Sequence, residues 1–186
     1  MHDVLDRFYQ AAKDRYPRFV VRLTGDCPVI DPSVIDSVVR YCVAGDFDYA
    51  SNTLTPTFPD GLDVEVFKFE SLEIAWREAT LPSQREHVTP FMYQQPERFK
   101  TGNYAGPRDL SYLRWTVDET SDFELIRRIY ESLYPIKPDF NTDDILALLE
   151  REPELKELNA ALKRNGGYQQ SLAKDAAHVN RKNEGN

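Results

Sequence analysis

The sequence predicts a single α/β domain, a sheet with helices on both of its faces. Segments with helical and strand-like hydrophobic spacing alternate along most of the chain, the arrangement typical of an α/β sheet. A hydrophobic content of 41% with 12% aromatic residues provides enough apolar surface for a core and excludes a disordered chain. The length of 186 residues suits one domain and is short for two.

The first elements form a helix, a strand, a polar loop and a second helix. Residues 3–15 predict a helix, and residues 18–23 predict a short strand that ends at the sequence TGDCP, 24–28. Pro32 suits the first turn of the next helix, with Asp31 as its N-cap. The apolar face of the first helix consists of Val4, Leu5, Phe8, Tyr9 and Ala12.

The same alternation continues to about residue 164, which we take as the end of the α/β domain. Strands are predicted at 48–51, 63–69 and 112–117, and helices at 70–79, 83–95, 123–133, 143–149 and 154–162. Residues 165–186 are polar and predict a C-terminal tail, whose last part, 178–186, we expect to be frayed.

The net charge of the chain indicates which kinds of partner it can bind. A net charge of −8 disfavours nucleic acid, because a phosphate backbone binds to positive surfaces. A bound polyphosphate would therefore need carboxylates that hold Mg²⁺.

No apolar run reaches the length of a membrane span, and the N-terminus has no signal-peptide pattern. Cys27 and Cys42 are too few for a disulfide scaffold, so we expect a cytoplasmic protein.

Two aspartates directly follow predicted strands. Asp26 follows the strand at 18–23, and Asp118 follows the strand at 112–117. Open α/β sheets bind ligands at such strand ends, and paired carboxylates with water are typical protein ligands of Mg²⁺. The alternatives are structural: Asp26 as a turn residue before Pro28, and Asp118 as a helix N-cap.

Other polar residues are weaker candidates. Asp46 and Asp48 form the Asp-x-Asp pattern of many metal-dependent glycosyltransferases, but they lie near a helix end and are interpreted as structural. His87 has no serine or cysteine partner in a catalytic pattern, so we interpret it as a binding residue.

Five segments of the sequence together carry a resemblance: RLTGDCPVIDP (22–32), SNT (51–53), PDGLDVEVF (59–67), REHVTP (85–90) and RWTVDE (114–119). In this order they resemble the cytidylyltransferases that make CMP-activated sugar acids, including CMP-KDO synthetases and acylneuraminate cytidylyltransferases. The match is best to their spore coat polysaccharide branch. The resemblance extends to about Asp175, and five blocks in order are more specific than any one of them.

The resemblance implies a Rossmann-like nucleotidyltransferase sheet and Mg²⁺-dependent transfer of CMP from CTP to a sugar acid. It makes Asp26 and Asp118 the catalytic, Mg²⁺-binding carboxylates. Homodimers are common among the resembling proteins, so a homodimer is expected. The positions that it implies for substrate binding are Asp63, Glu65, Arg85, His87 and Phe91.

One feature of the resembling proteins has no counterpart here. They begin with a strand and a Leu-x-x-Arg-x-x-Ser-x-Arg-Leu-x-Gly-Lys loop that holds the triphosphate, whereas this sequence opens with a helix. The resemblance therefore predicts that the N-terminal strands are missing and that the chain is active only if the missing part is supplied. Two alternatives follow: a non-catalytic remnant that binds a sugar or a partner protein, and a metal-dependent glycosyltransferase.

Overall fold

The computed structural model describes residues 3–162, 164, 168 and 171–175. Within these residues one four-stranded sheet forms the centre, with strands β1 (Phe19–Arg22), β2 (Tyr49–Ser51), β3 (Glu65–Lys68) and β4 (Thr101–Asn103). The order across the sheet is β1-β3-β2-β4. β3 pairs antiparallel with both β1 and β2, and β4 runs parallel to β2.

Helices occupy most of the remaining described chain. Two short 3₁₀ helices, Lys13–Arg15 and Pro153–Leu158, accompany the α-helices. No helix in the described part combines the length and apolar character that crossing a bilayer requires. The α-helices are α1 (Val4–Ala12), α2 (Pro32–Ala44), α3 (Phe69–Glu78), α4 (Pro82–His87), α5 (Pro90–Tyr93), α6 (Thr120–Leu133) and α7 (Thr142–Arg151).

Both faces of the sheet are covered, as the sequence predicts for this α/β fold. Side chains along a strand alternate between the two faces, so neighbours on β3 enter different cores. Phe67 packs with residues of α1, α3 and α5 on one face. Val66 packs with Val38 and Cys42 of α2 on the other face. The sheet is thereby held between two apolar layers.

A third core lies beside the sheet and supports the loops at its edge. It joins α6, α7 and the second 3₁₀ helix around Trp115, which is fully buried. Gly61 crosses this region with φ +107°, and a Cβ there would lie 2.6 Å from the backbone nitrogen of Thr116. Only glycine permits this approach, which brings the 60–63 loop against the 114–118 segment.

Several sequence predictions are confirmed and others are wrong. The first two helices and the first three strands are present, and Asp31 caps α2 by accepting a 2.8 Å hydrogen bond from the nitrogen of Ser33. The strand predicted at 112–117 is absent: this segment is a loop with a single bridge from Arg114 to Asp60. Strand β4 was missed, because Thr101–Asn103 contains a glycine and lacks an apolar pattern.

The helix predicted at 83–95 is two helices, since Val88 has φ 73° and Pro90 starts α5. A 3₁₀ helix, Pro153–Leu158, replaces the α-helix predicted at 154–162. The expected fraying at 178–186 lies outside the described residues.

Candidate functional site

A cleft of about 440 Å³ opens at the end of β1. Its walls come from the loop after β1, the 60–65 segment, the α4–α5 junction and the 114–118 segment. Tyr168, which lies near the end of the described residues, also lines it. The lining residues are Arg22, Thr24, Asp26, Cys27, Thr53, Leu54, Asp60, Asp63, Glu65, His87, Thr89, Pro90, Tyr93, Arg114, Thr116, Asp118 and Tyr168.

The structure brings the two strand-end aspartates of the sequence analysis into this one cleft. The carbonyl oxygen of Asp26 accepts hydrogen bonds from the nitrogen of Val117 at 2.8 Å and from Thr116 Oγ1 at 3.1 Å. The two loops are therefore tied together next to their carboxylates. No group of three His, Cys, Asp or Glu side chains in the described part is placed to hold a metal ion.

Cys27 lies beside Asp26, and its side chain is buried. Burial raises the pKa of its thiol to about 12, which favours the protonated thiol at neutral pH. Its sulfur lies 3.2 Å from Thr24 Oγ1. The Cys27 side chain therefore contributes to the packing of the loop.

The Arg114 cluster, which consists of Arg114, Asp60, Asp118 and Asp122, forms one wall. Arg114 donates to Asp60 Oδ2 at 2.8 Å, to Asp118 Oδ2 at 2.7 Å and to both oxygens of Asp122 at 3.0 and 2.9 Å. Burial disfavours its charge, but these carboxylates raise its pKa above the ordinary value. The Asp122 side chain is fully buried, whereas that of Asp118 is 55% exposed. One cation thus serves three carboxylates, and one carboxylate reaches solvent.

The Glu65 cluster, which consists of Glu65, Arg22, Tyr49 and Thr89, forms the opposite wall. Glu65 pairs with Arg22, and its Oε1 accepts hydrogen bonds from Tyr49 Oη at 2.8 Å and from Thr89 Oγ1 at 2.5 Å. Burial raises the pKa of Tyr49 well above its ordinary value, so this hydroxyl remains a donor. Hydrogen bonds to Glu65 thus hold these side chains together at the wall of the cleft.

Asp63 has the most perturbed carboxyl group in the cleft. Burial raises its pKa to about 7, the nearby carboxylates of Asp60, Glu65 and Asp26 act in the same direction, and Arg164 acts against them. Arg164 forms an ion pair with Asp63 and lies 3.7 Å from Asp60 Oδ1. The Asp63 carboxyl therefore changes between its protonated and ionised forms near neutral pH.

His87 lies at the strained junction of α4 and α5. Val88 has φ 73° and ψ −57°, and the nitrogen of Thr89 donates to the carbonyl of His87 at 2.9 Å, which is a γ-turn. Such turns with positive φ are rare and strained. This one directs both His87 and Thr89 to the cleft. Burial lowers the pKa of His87, so its ring is neutral at pH 7.

Two of the predicted substrate-binding residues do not line the cleft. Arg85 donates to Asp3 Oδ2 and to the carbonyl of Trp76, which holds it against α1 and α3. Phe91 is buried in the core, edge-to-face with Phe99. The helix break at Val88 explains the position of Phe91, which would share a face with His87 in an unbroken helix. Arg85 lies two residues before His87 within α4 and therefore on a different face of that helix.

Asp63, Glu65 and His87 do line the cleft, as implied by the resemblance. Asp46 and Asp48 do not: both pair with Lys68 at 3.0 Å, in accordance with their interpretation as structural residues.

Sequence reasoning missed several polar lining residues. Arg22 and Arg114 lie within the segments that carry the resemblance. An arginine close to aspartates at the end of a strand or loop could have indicated an ion-pair network. Thr89 and Tyr93 follow the strained turn, which the sequence does not reveal. Tyr168 falls in the segment interpreted as a polar tail.

The fold and the cleft define an α/β protein with a carboxylate-rich ligand site at the edge of its sheet. A family described as cytidylyltransferase matches residues 1–170. The chain belongs to this cytidylyltransferase family.

Two curated relatives are similar over most of this chain. An uncharacterized protein of Methanocaldococcus jannaschii is 38% identical over 160 residues, which are 85% of this chain and 64% of that protein. The spore coat polysaccharide biosynthesis protein SpsF of Bacillus subtilis is 30% identical over 165 residues, 81% of this chain and 62% of that protein. The chain thus spans less than two thirds of the length of these relatives.

A solved structure shows the same fold. The structure of a cytidylyltransferase from Leptospira borgpetersenii serovar Hardjo-bovis matches with a TM-score of 0.78 and 30% sequence identity, over 83% of this chain and 65% of that one. The fold predicted by the sequence resemblance is therefore confirmed.

Proposed function

We propose that this chain forms the sugar-binding part of a nucleotidyltransferase site. The complete site would transfer CMP from CTP to a sugar acid, for the biosynthesis of a surface polysaccharide. The observation that carries the proposal is the meeting of Asp26 and Asp118 in one cleft, tied together by the 2.8 Å bond from the nitrogen of Val117 to the carbonyl of Asp26. In the proposed reaction a sugar hydroxyl attacks the α-phosphorus of CTP, and pyrophosphate leaves in line.

The carboxylates fit a magnesium ion. Asp118 uses one oxygen for Arg114 and is half exposed, so its other oxygen is accessible from the cleft. Mg²⁺ is commonly held by one or two carboxylates together with waters and substrate phosphates, which agrees with a pair rather than a cage of ligands. When bound, it would neutralise charge on the phosphates.

The residues of the chain itself position the reactants. Arg114 fixes Asp118 and, through Asp60, the neighbouring 60–63 loop. Glu65 holds Arg22 and Thr89 at the wall. His87, Tyr93 and Tyr168 give the wall neutral polar groups of the kind that bind sugar hydroxyls.

We further propose that the active form is a cytoplasmic homodimer. Both cysteines are free and buried, as in proteins of reducing compartments. Tyr16 and Val21 leave apolar surface beside the edge strand β1, and a second copy would cover such a surface.

The test is CTP consumption with Mg²⁺ and a panel of sugar acids that includes KDO and N-acetylneuraminic acid. It is run on this chain alone and on this chain joined to the additional segment of its Bacillus subtilis relative. We expect turnover with at least one sugar acid in the longer protein. Sugar binding without CTP consumption in either protein would instead favour the non-catalytic sugar-binding alternative.

A further inference from the structure

Two of the described arginines line the cleft, and they differ in how many of their nitrogens have a protein partner. Arg114 uses all three of its side-chain nitrogens on the carboxylates of its cluster. Arg22, the last residue of β1, uses one, because within the described residues its guanidinium donates only through Nη1, to Glu65. Arg22 is therefore the arginine of this cleft that retains donors for a ligand.

The remaining nitrogens of Arg22 form one edge of the guanidinium group. Nε is buried and has no hydrogen-bond partner in the described part of the chain. The side chain as a whole is 17% exposed. In every arginine the N–H of Nε and one N–H of Nη2 point in the same direction, so this edge offers two parallel donors. A buried donor without a partner is unfavourable, which favours a state in which an acceptor occupies the edge.

The shape and charge of this edge fit a carboxylate. Two parallel donors on a planar cation match the two oxygens of a carboxylate, as in bidentate arginine pairs. The Arg114 cluster shows that one guanidinium group of this chain pairs with more than one carboxylate. Four of the described lining residues are aspartates, which repel an anionic ligand elsewhere in the cleft. An acid that enters the cleft is therefore best held at Arg22.

We propose that Arg22 is a specificity-determining residue that binds the carboxylate of the sugar acid through Nη2 and Nε, and so selects an acid over a neutral sugar. The identity of the ligand as a sugar acid rests on the proposed function, whereas the free edge of Arg22 follows from the contacts of the chain alone. Asp26 lies in the loop that follows β1, so a carboxylate held at Arg22 would also orient the sugar within the cleft that contains Asp26.

Two other roles of Arg22 predict different results. A purely structural partner of Glu65 would not distinguish a sugar acid from its uncharged ester. A ligand of the CTP phosphates, which carry anionic oxygens of the same kind, would affect the binding of CTP and not that of the sugar.

The experiment compares KDO and N-acetylneuraminic acid with their methyl esters, which lack the charge and keep the hydroxyl groups. Binding to this chain is measured by isothermal titration calorimetry. We expect at least one acid to bind about tenfold or more tightly than its ester, the equivalent of one hydrogen bond to a charged group. Arg22→Gln should reduce this ratio to about one. Arg77→Gln is the matched control, because Arg77 pairs with Glu73 away from the cleft, and it should keep the ratio.

Because Arg22→Gln also removes the partner of Glu65, Arg22→Lys is measured beside it. Lysine keeps the charge but lacks the parallel pair of donors, so its ratio should lie between those of the unmodified chain and Arg22→Gln.

Equal binding of acid and ester by the unmodified chain, a ratio unchanged in either folded variant of Arg22, or absence of binding by every acid would overturn the inference. In the longer protein, Arg22→Lys should raise the KM for the sugar acid, and a rise in the KM for CTP alone would overturn it as well. Absence of CTP consumption together with the expected ratio would contradict the proposed function and leave the role of Arg22 in place.

Discussion

The two walls of the cleft differ in how their charged groups are balanced. In the Arg114 cluster one arginine pairs with three carboxylates, of which Asp60 also lies 3.7 Å from Arg164 and Asp118 is half exposed. In the Glu65 cluster one carboxylate is balanced by one arginine and two hydroxyls. Under the proposed function, the first wall would face a bound cation and its phosphates, and the second would face the sugar.

The largest expected effect on stability distinguishes the buried Asp122 from the exposed Asp118, which are both partners of Arg114. Asp122→Ala removes a fully buried partner of Arg114, so the free energy of unfolding should fall by about 3–5 kcal/mol. Asp118→Ala removes an exposed partner of the same arginine and should cost only about 0–1 kcal/mol. Urea denaturation measures both. Equal losses would mean that Asp118 is part of the structural core of the cluster and not a surface ligand.

A second prediction concerns the pH dependence of stability. The pKa of Asp63 is about 7 in the folded chain, above its ordinary value, so between these values the folded state binds more protons than the unfolded state. The contribution of Asp63 to stability is therefore present at low pH and is lost as pH rises towards and through 7.

Asp63→Asn should flatten this part of the profile, as measured by urea denaturation between pH 4.5 and 8. The exposed Asp36 of α2 provides the matched control, Asp36→Asn, which should leave the profile unchanged. An unaltered profile in Asp63→Asn would show that Arg164 keeps this carboxyl ionised throughout the range.

The smallest expected effect on stability tests the hydrogen bond from Tyr49 to Glu65 in the Glu65 cluster. Tyr49→Phe removes the buried 2.8 Å hydrogen bond to Glu65 and should reduce the free energy of unfolding by about 1 kcal/mol. Tyr9→Phe, which removes a 3.3 Å bond to Glu73 that is only part-buried, should have a smaller effect. Thermal denaturation of the two variants compares them directly, and a larger loss for Tyr9→Phe would contradict the assignment.

The sequence predicted the elements whose signals are local. These signals come from residues that are close together in the sequence. They are the apolar face of α1, the cap and proline at the start of α2, and the short apolar run of β1. The loop at 112–117 has strand-like composition, but Trp115 packs into the third core instead of joining the sheet. This choice depends on tertiary packing, so local pattern could not reveal it.

The same division holds in the cleft. Asp26 and Asp118 follow strand-like segments and were identified by position and resemblance. The displacement of Phe91 results from one backbone torsion at Val88, and Asp60, a partner of Arg114, is distant from it in sequence. Neither feature has a local signature.

The most direct test of the nucleotidyl-transfer proposal is pyrophosphate release from CTP, normalised to the folded fraction, in Asp26→Asn and Asp118→Asn of the longer protein described above. These substitutions keep the size of the side chain and remove its charge, with Asp36→Asn as the control. If the two carboxylates share Mg²⁺, each variant should lose about 100-fold or more in turnover, and the double variant should lose little beyond that. Turnover close to that of the unmodified protein in either single variant would contradict the account.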